Sequence, residues 1–230
     1  MTDLTPADLE ALAQWDTPTI CNGLELLDAR FRASGYTRAQ MTCLDPTLKP
    51  IVGYARTALI RAATPPPGDA PATRVRYYEH VAARPLPSIA VLQDVDPVPG
   101  VGAFWGEVNT AIHKGLGCLG AVTNGSFRDV GACAPGFQLL GAGVGPSHAW
   151  VHVVAIGCEV DVFGMAVRPN DIVHADRHGA VVVPADCVKK LPGAIALLVR
   201  REAVILEAAR APGFNVEILK KAMADAAEIH

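Results

Sequence analysis

Two short stretches combine residue types that could bind and polarise a small anion. Gly106-Glu107-Val108-Asn109 puts a glycine and an acid where the chain enters a helical pattern over 107–114. Unbonded amides at Val108 and Asn109, the first turn of that helix, would attract an anion with the help of the helix dipole. The second stretch, Gly120-Ala-Val-Thr-Asn-Gly-Ser-Phe-Arg-Asp129, runs from a buried strand pattern over 119–123 into an arginine and an aspartate. Ligands in open α/β sheets sit at the carboxyl ends of strands. Arg128 could hold a carboxylate there through two parallel hydrogen bonds, which a lysine would not reproduce. Asp129 offers one hard carboxylate, and with water and substrate oxygens such a donor suits Mg²⁺ or Mn²⁺ better than zinc. Taken alone, an Arg-Asp pair after a strand is more often a surface ion pair or a helix cap, and Gly106-Glu107 is an ordinary helix start.

The wider pattern changes that balance. Together with Gly115-Leu-Gly117, Gly164-Met-Ala-Val-Arg-Pro-Asn-Asp171 and Gly179-Ala-Val-Val-Val-Pro184, these stretches resemble the RraA-like superfamily. That superfamily includes the 4-hydroxy-4-methyl-2-oxoglutarate and 4-carboxy-4-hydroxy-2-oxoadipate aldolases. Its pattern is a Gly-Asp or Gly-Glu pair opening a helix, a glycine-punctuated helix end, and a strand finishing in a D-G-x-x-R-D turn. The resemblance covers most of the chain beyond about Thr17.

The resemblance implies a class II pyruvate aldolase, dependent on Mg²⁺ or Mn²⁺. Such an enzyme cleaves a 4-hydroxy-2-oxo dicarboxylic acid to pyruvate and a second oxo acid, with oxaloacetate decarboxylation as a side activity. Arg128, Glu107 and Asp129 would then be catalytic, Asp129 the metal ligand, and Gly106, Val108, Asn109 and Arg128 the substrate-binding set. Glu107 would orient metal-bound water. A glutamate from the C-terminal part of a neighbouring subunit would complete the site, with Glu202 and Glu207 both candidates. The base that takes the alcohol proton is not identified by the sequence; metal-bound water and a carboxylate both qualify. One departure stands out: Asn124 occupies the place where the family has aspartate, removing a charge expected beside Arg128 and the metal. Two alternatives share the resemblance. One is a regulatory protein like the superfamily's ribonuclease inhibitors, acting through protein contacts, and the other is a diverged lyase with another small-acid substrate.

Other stretches with chemical potential read more simply. His174-Ala-Asp-Arg-His178 has metal-like spacing, yet it lies between two short strand patterns and ends at Gly179, as a hairpin turn would. In an extended 147–152 segment His148, Trp150 and His152 would share one face, lining a pocket or packing, with no third ligand for zinc. Gly141-Ala-Gly-Val-Gly145 is followed by Pro146 and Gly100-Val-Gly102 misses the dinucleotide spacing, which argues against NAD and S-adenosylmethionine. The apolar run 97–105 ends in Phe104 and Trp105, aromatics placed to shape a pocket.

The elements that must position these residues follow from pattern and caps. Thr5-Pro6 and Thr17-Pro18 open two short helices. A strand over 51–60 precedes a proline-rich surface loop over 64–73, and a helix is expected over 75–83. The β-α-β order of 88–93, 107–114 and 119–123 predicts parallel pairing. Short strands follow at 151–156, 160–162, 171–174 and 180–183, then a helix over 186–209 interrupted at Pro192-Gly193, and a last helix capped by Asn215. The resemblance implies one α/β domain over residues 1–230, an α/β/α layered swivelling fold. It also implies that the C-terminal helices dock on a neighbouring subunit, in a homotrimer or homohexamer. With 230 residues, half of them hydrophobic and 19% charged, the chain can bury a sizeable core. A net charge of -3 without a basic run gives no footprint for nucleic acid. The acidic N-terminus lacks a signal-peptide pattern and no stretch is long enough to span a bilayer, so a cytoplasmic protein with no membrane partner is expected. Six cysteines lie far apart without a C-x-x-C pair, and most of them read as small buried hydrophobes in a reducing compartment.

Overall fold

The computed structural model describes residues 4–230. Helix α1 (Pro6–Leu12) starts at Thr5, whose hydroxyl accepts from the Asp8 amide while the Asp8 carboxylate accepts from the Thr5 amide. Asp16 caps α2 (Thr17–Leu27) through its side chain alone, which accepts from the Thr19 amide. After β1 (Thr42–Cys43) comes the long β2 (Ile51–Arg61), then α3 (Ala70–Ala82) and β3 (Ser88–Asp94). The elements that bear on the site follow: β4 (Ala103–Trp105), α4 (Glu107–Gly115), β5 (Cys118–Thr123) and β6 (Ser126–Phe127). Short strands β7 (Gln138–Gly141), β8 (Gly143–Val144), β9 (His152–Ile156), β10 (Val160–Val162), β11 (Met165–Val167), β12 (Ile172–Asp176) and β13 (Gly179–Val183) make the second half β-rich. Helices α5 (Leu191–Arg210) and α6 (Val216–Ala227) end the chain, α6 capped by the Asn215 side chain.

Two helix starts differ from expectation, and proline explains both. Helix α3 begins at Ala70, not near Val75, because Pro71 sits in its first turn and Asp69 caps it by accepting from the Ala72 amide. A proline there removes no helical hydrogen bond. Likewise Pro192 lies in the first turn of α5, so Pro192-Gly193 opens the helix at Leu191 where an interruption was expected, and residues 185–190 form turns.

One mixed sheet organises the fold in the order β1-β7-β5-β3-β2-β12-β13. Strands β2, β3, β5 and β7 are parallel, with α3 and α4 in the crossovers. At eleven residues β2 is long enough to pair twice on its second edge, with β12 near Ile51–Tyr54 and with β9 near Ala58–Arg61. Alternation assigns the two faces. Ala58 and Ile60 of β2, Ala90 and Leu92 of β3 and Ala121 of β5 face Tyr77 and Val81 of α3. Val52, Ile172, Val181 and Val183 on the same face pack under Leu9, Leu12, Ile20, Leu24 and Leu191 of α1, α2 and α5. The opposite face, with Ala55, Ile89, Val91, Val122 and Leu140, is closed by Val160, Val162, Met165 and Val167 of the β10–β11 hairpin. Each large aliphatic side chain fully buried this way contributes about 1.5–3 kcal/mol relative to exposure. This is the α/β architecture that the sequence pattern led us to expect, built on a curled sheet.

A second, small parallel sheet, β4-β6-β8, stands beside the main one and carries the residues of interest. No helix among the described residues is long and apolar enough to cross a membrane. On α5 only Leu191, Ala194 and Ile195 are buried; Val199 and Leu206 further along, and Val216 and Met223 of α6, are exposed.

Candidate active site

Parallel pairing of β4 with β6 brings the two informative stretches together. Trp105 pairs with Phe127, and the Arg128 amide donates to the Trp105 carbonyl at 2.9 Å. The residues that follow each strand, Gly106-Glu107 and Arg128-Asp129, are therefore neighbours in space. Gly106 leaves no room for a side chain: a Cβ would stand 2.5 Å from Asp129 Oδ2 and 3.3 Å from Arg128 Cγ. Asp129 adopts a left-handed backbone, φ 55°, which turns its carboxylate back over the start of α4. There Oδ2 accepts from the Glu107 amide at 3.3 Å and lies 3.6 Å from Arg128 Nε. Helix α4 has no cap from its own N-cap residue, Gly106, so Asp129 supplies one from a distant part of the chain.

These groups open onto a cleft of about 520 Å³. Gly106, Val108, Asn109, Arg128 and Asp129 are in its lining, and so are His148 and His152, which the sequence left open between lining a pocket and packing. Helix α3 contributes Ala70, Arg74 and Tyr78, at successive i, i+4 positions on one face. Arg74 makes no ion pair or hydrogen bond among the described residues, and its charge opposes the burial that raises the pKa of the Tyr78 hydroxyl. That hydroxyl donates to Asn109 Oδ1 at 2.7 Å, and Asn109 Nδ2 donates to the Phe104 carbonyl, fixing α3 against α4. Two guanidinium groups and one carboxylate thus share the cleft, an excess of positive charge suited to an anion.

A buried network stands behind the cleft wall. His113 Nδ1 donates to the Asn109 carbonyl at 2.6 Å, which leaves Nε2 to accept from the Tyr77 hydroxyl at 2.8 Å. Burial among Trp105, Phe104 and Phe137 pushes the His113 pKa down to about 4, so the ring is neutral.

Several sequence-selected residues lie elsewhere. Asn124 is not in the cleft lining: its Oδ1 accepts from the Asp94 amide at 2.7 Å and its Nδ2 donates to the Asp94 carbonyl at 2.9 Å, clamping the ends of β3 and β5. The expectation that it neighbours Arg128 as a missing charge is corrected accordingly. Glu107 presents its backbone amide to Asp129, while the residue itself is exposed and outside the lining. Glu202 and Glu207 border a separate shallow groove along α5 with Val199, Leu206 and Arg210. The 147–151 segment is a turn, not a strand: Ala149 has φ 46° and its amide donates to Ser147 Oγ. His148 and Trp150 therefore do not alternate with His152, although both histidines reach the cleft. His174 and His178 belong to the expected hairpin, with Asp176 paired to Gly179 across a two-residue loop. His174 Nε2 is 3.0 Å from the Trp15 carbonyl and Nδ1 is 3.0 Å from Thr17 Oγ1, ties that hold β12 to α2.

The donor set fits a hard, hydrated cation and not a closed protein cage. Among the described residues no three His, Cys, Asp or Glu side chains converge on one point. Asp129, about one-third exposed, has no partner at Oδ1 among the described residues, and a single carboxylate with water and substrate oxygens is a common arrangement for Mg²⁺.

Comparison with known proteins places this geometry in context. A family model described as RraA-like, Aldolase/RraA, matches residues 17–182. No curated protein matches the sequence. An uncharacterized protein from Pseudomonas syringae pv. tomato superposes with a TM-score of 0.75 at 20% identity, covering 97% of this chain and 96% of its own. Streptomyces coelicolor RraAS2, described as an unusual member of the RNase ES inhibitor RraA protein family, gives 0.69 at 22%, covering 91% and 100%. The RNA-processing inhibitor RraA from Thermus thermophilis gives 0.51 at 16%, covering 69% and 90%. At these identities the likenesses establish the fold.

Proposed function

The chain belongs to the RraA-like family, and from that premise we propose that the cleft between α3, α4 and residues 147–153 is the active site of a divalent-metal-dependent carbon–carbon lyase. Its substrate is a 4-hydroxy-2-oxo dicarboxylic acid, cleaved to pyruvate and a second oxo acid, with oxaloacetate decarboxylation as a side reaction. The observation that carries this reading is the meeting of Arg128, Asp129 and the first turn of α4 at the ends of two adjacent parallel strands.

In this reading Arg128 and the amides of Val108 and Asn109 grip the carboxylate next to the keto group. When bound, Mg²⁺ or Mn²⁺ held by Asp129, water and substrate oxygens supplies Lewis-acid polarisation of that keto group. Breaking the C3–C4 bond leaves an enolate of pyruvate, and the fixed charge of Arg128 stabilises it without reorganisation. Arg74, in the cleft lining and without an ion pair or hydrogen bond among the described residues, takes the second carboxylate. Glu107, exposed at the helix start, orients water at the mouth. A homotrimer or homohexamer follows from the same reading. The exposed apolar side chains of α5 and α6 would be covered by a neighbouring subunit, and Glu202 or Glu207 would reach its site.

The deciding experiment is pyruvate release from oxaloacetate with Mg²⁺ or Mn²⁺, and with chelator. Metal-dependent turnover supports the lyase. No turnover on a panel of 2-oxo acids would favour the second reading, a regulator acting by protein contacts; the Streptomyces protein is described as a member of an RNase ES inhibitor family and the Thermus protein as an RNA-processing inhibitor. The exposed apolar face of α5 and α6 is the observation in favour of that reading. A diverged lyase with another small-acid substrate would draw its support from the Asn124 departure, and the clamp of Asn124 on the Asp94 backbone weakens that support.

A further inference from the structure

Retro-aldol cleavage needs a base for the C4 hydroxyl proton, and no carboxylate in the cleft is free of other duties. Asp129 Oδ2 is engaged by the Glu107 amide and Arg128. The two histidines in the cleft lining differ in a useful respect. His152 opens β9 opposite Arg61 of β2 and is only 8% exposed. Its Nδ1 lies 2.7 Å from the Trp150 carbonyl oxygen. A carbonyl only accepts, so Nδ1 carries the proton and the neutral ring presents a bare lone pair at Nε2. That nitrogen has no protein partner among the described residues and is not sealed in the core, so it meets solvent where the ring lines the cleft. His148 shows the same lock, Nδ1 to the Ala149 carbonyl at 2.6 Å, but on an exposed turn where the ring is held by little else.

We propose that His152 Nε2 is the general base of the cleavage step, an assignment that rests on the lyase reading above. The C4 O–H bond breaks and its proton goes to Nε2, while the oxygen pair forms the new C4 carbonyl. The C3–C4 pair moves into the C2–C3 enolate, and the imidazolium returns the proton to C3, giving the methyl group of pyruvate. Atoms and electrons balance without any further reactant. Decarboxylation of oxaloacetate has no hydroxyl proton to remove, since carbon dioxide departs from a carboxylate. The two reactions therefore depend on His152 to different degrees.

The test is the ratio of retro-aldol cleavage to oxaloacetate decarboxylation in the Mg²⁺-loaded protein, for wild type, His152→Asn, His152→Gln and His148→Asn. The amide of asparagine can keep the bond to the Trp150 carbonyl while removing the base. The ratio should fall by about 10²-fold or more in both His152 variants, the usual contribution of a positioned base. An unchanged ratio there, or a fall in His148→Asn instead, overturns the assignment while leaving the lyase intact. Wild-type protein inert toward both substrates overturns the lyase and the base together. A second readout needs no turnover: nitrogen-15 NMR of histidine-labelled protein should find His152 protonated at Nδ1, and protonation at Nε2 in the neutral ring would sink the proposal.

Discussion

Asp129 Oδ2 stands 3.3 Å from the Glu107 backbone nitrogen, so the carboxylate proposed to hold a metal also caps the helix proposed to hold the substrate. Both functions depend on Gly106, where a Cβ would lie 2.5 Å from that oxygen. They also depend on the left-handed backbone at Asp129, which the chain accepts at a residue type that tolerates it.

The two duties of Asp129 separate in Asp129→Asn. Asparagine caps helices about as well as aspartate, whereas alanine costs about 1 kcal/mol. Asp129→Asn should melt within a degree or two of wild type and lose metal-dependent oxaloacetate decarboxylation. Asp129→Ala should lose both activity and some stability. Metal-dependent turnover surviving in Asp129→Asn would remove the carboxylate from the metal site.

Arg128 is proposed to act through charge and geometry together. Arg128→Ala should cost on the order of 10²-fold or more in turnover, the loss typical of a missing charge-stabilising donor. Arg128→Lys should restore little, because an ammonium cannot make two parallel bonds. Steady-state kinetics on oxaloacetate checks both, and wild-type rates in either variant would refute the carboxylate anchor.

Much of the architecture was legible in local chemistry, because caps, prolines and alternation act within a few residues. Thr5, Asn215 and the 88–93 strand pattern each report on their own turn or face. Arg74 escaped notice for an equally local reason. The prolines over 65–71 read as a loop, yet Pro71 occupies the first turn of α3, so the helix starts early enough to carry Ala70, Arg74 and Tyr78 on the cleft side. Asn124 was misread because its partner, the Asp94 backbone, is thirty residues away. His152 was visible only as a residue type; the carbonyl that fixes its proton depends on the turn at Ala149, whose left-handed backbone no alternation pattern encodes.

Arg74 should discriminate substrates by their second carboxylate. Arg74→Gln removes the charge and keeps a shorter, polar side chain. It should raise the KM for oxaloacetate roughly tenfold, the scale of one charged hydrogen bond of about 1.5 kcal/mol, while inhibition by the monocarboxylate pyruvate changes little. Equal weakening toward both ligands would show that Arg74 acts only through the general field of the cleft.

Asn124→Asp restores the residue type expected from the family pattern, at a position where the fold now uses both halves of an amide. A carboxylate still accepts from the Asp94 amide but cannot donate to the Asp94 carbonyl, and it sets a charge beside the buried Asp94 side chain. The cost should be about 1–3 kcal/mol, from the lost bond and the unpaired carbonyl. Urea denaturation measures it. A more stable variant, or one with raised lyase activity, would return Asn124 to the active site.

Finally, acid sensitivity should trace in part to His113. Its folded-state pKa is lowered from 6.5 to about 4 by burial, so the folded protein holds the ring neutral while the unfolded chain takes up a proton below pH 6.5. Above pH 6.5 both states are neutral and the stabilisation is fully present. As pH falls from 6.5 toward 4 the unfolded state binds the extra proton and stability declines, by up to about 1.4 kcal/mol per pH unit and about 3 kcal/mol in total. His113→Gln cannot be protonated in either state. It should be less stable than wild type at pH 7, through lost packing on Trp105, yet lose less between pH 7 and pH 5. Urea midpoints at the two pH values decide the matter: parallel declines in both proteins would mean that other groups, not this ring, set the acid limit.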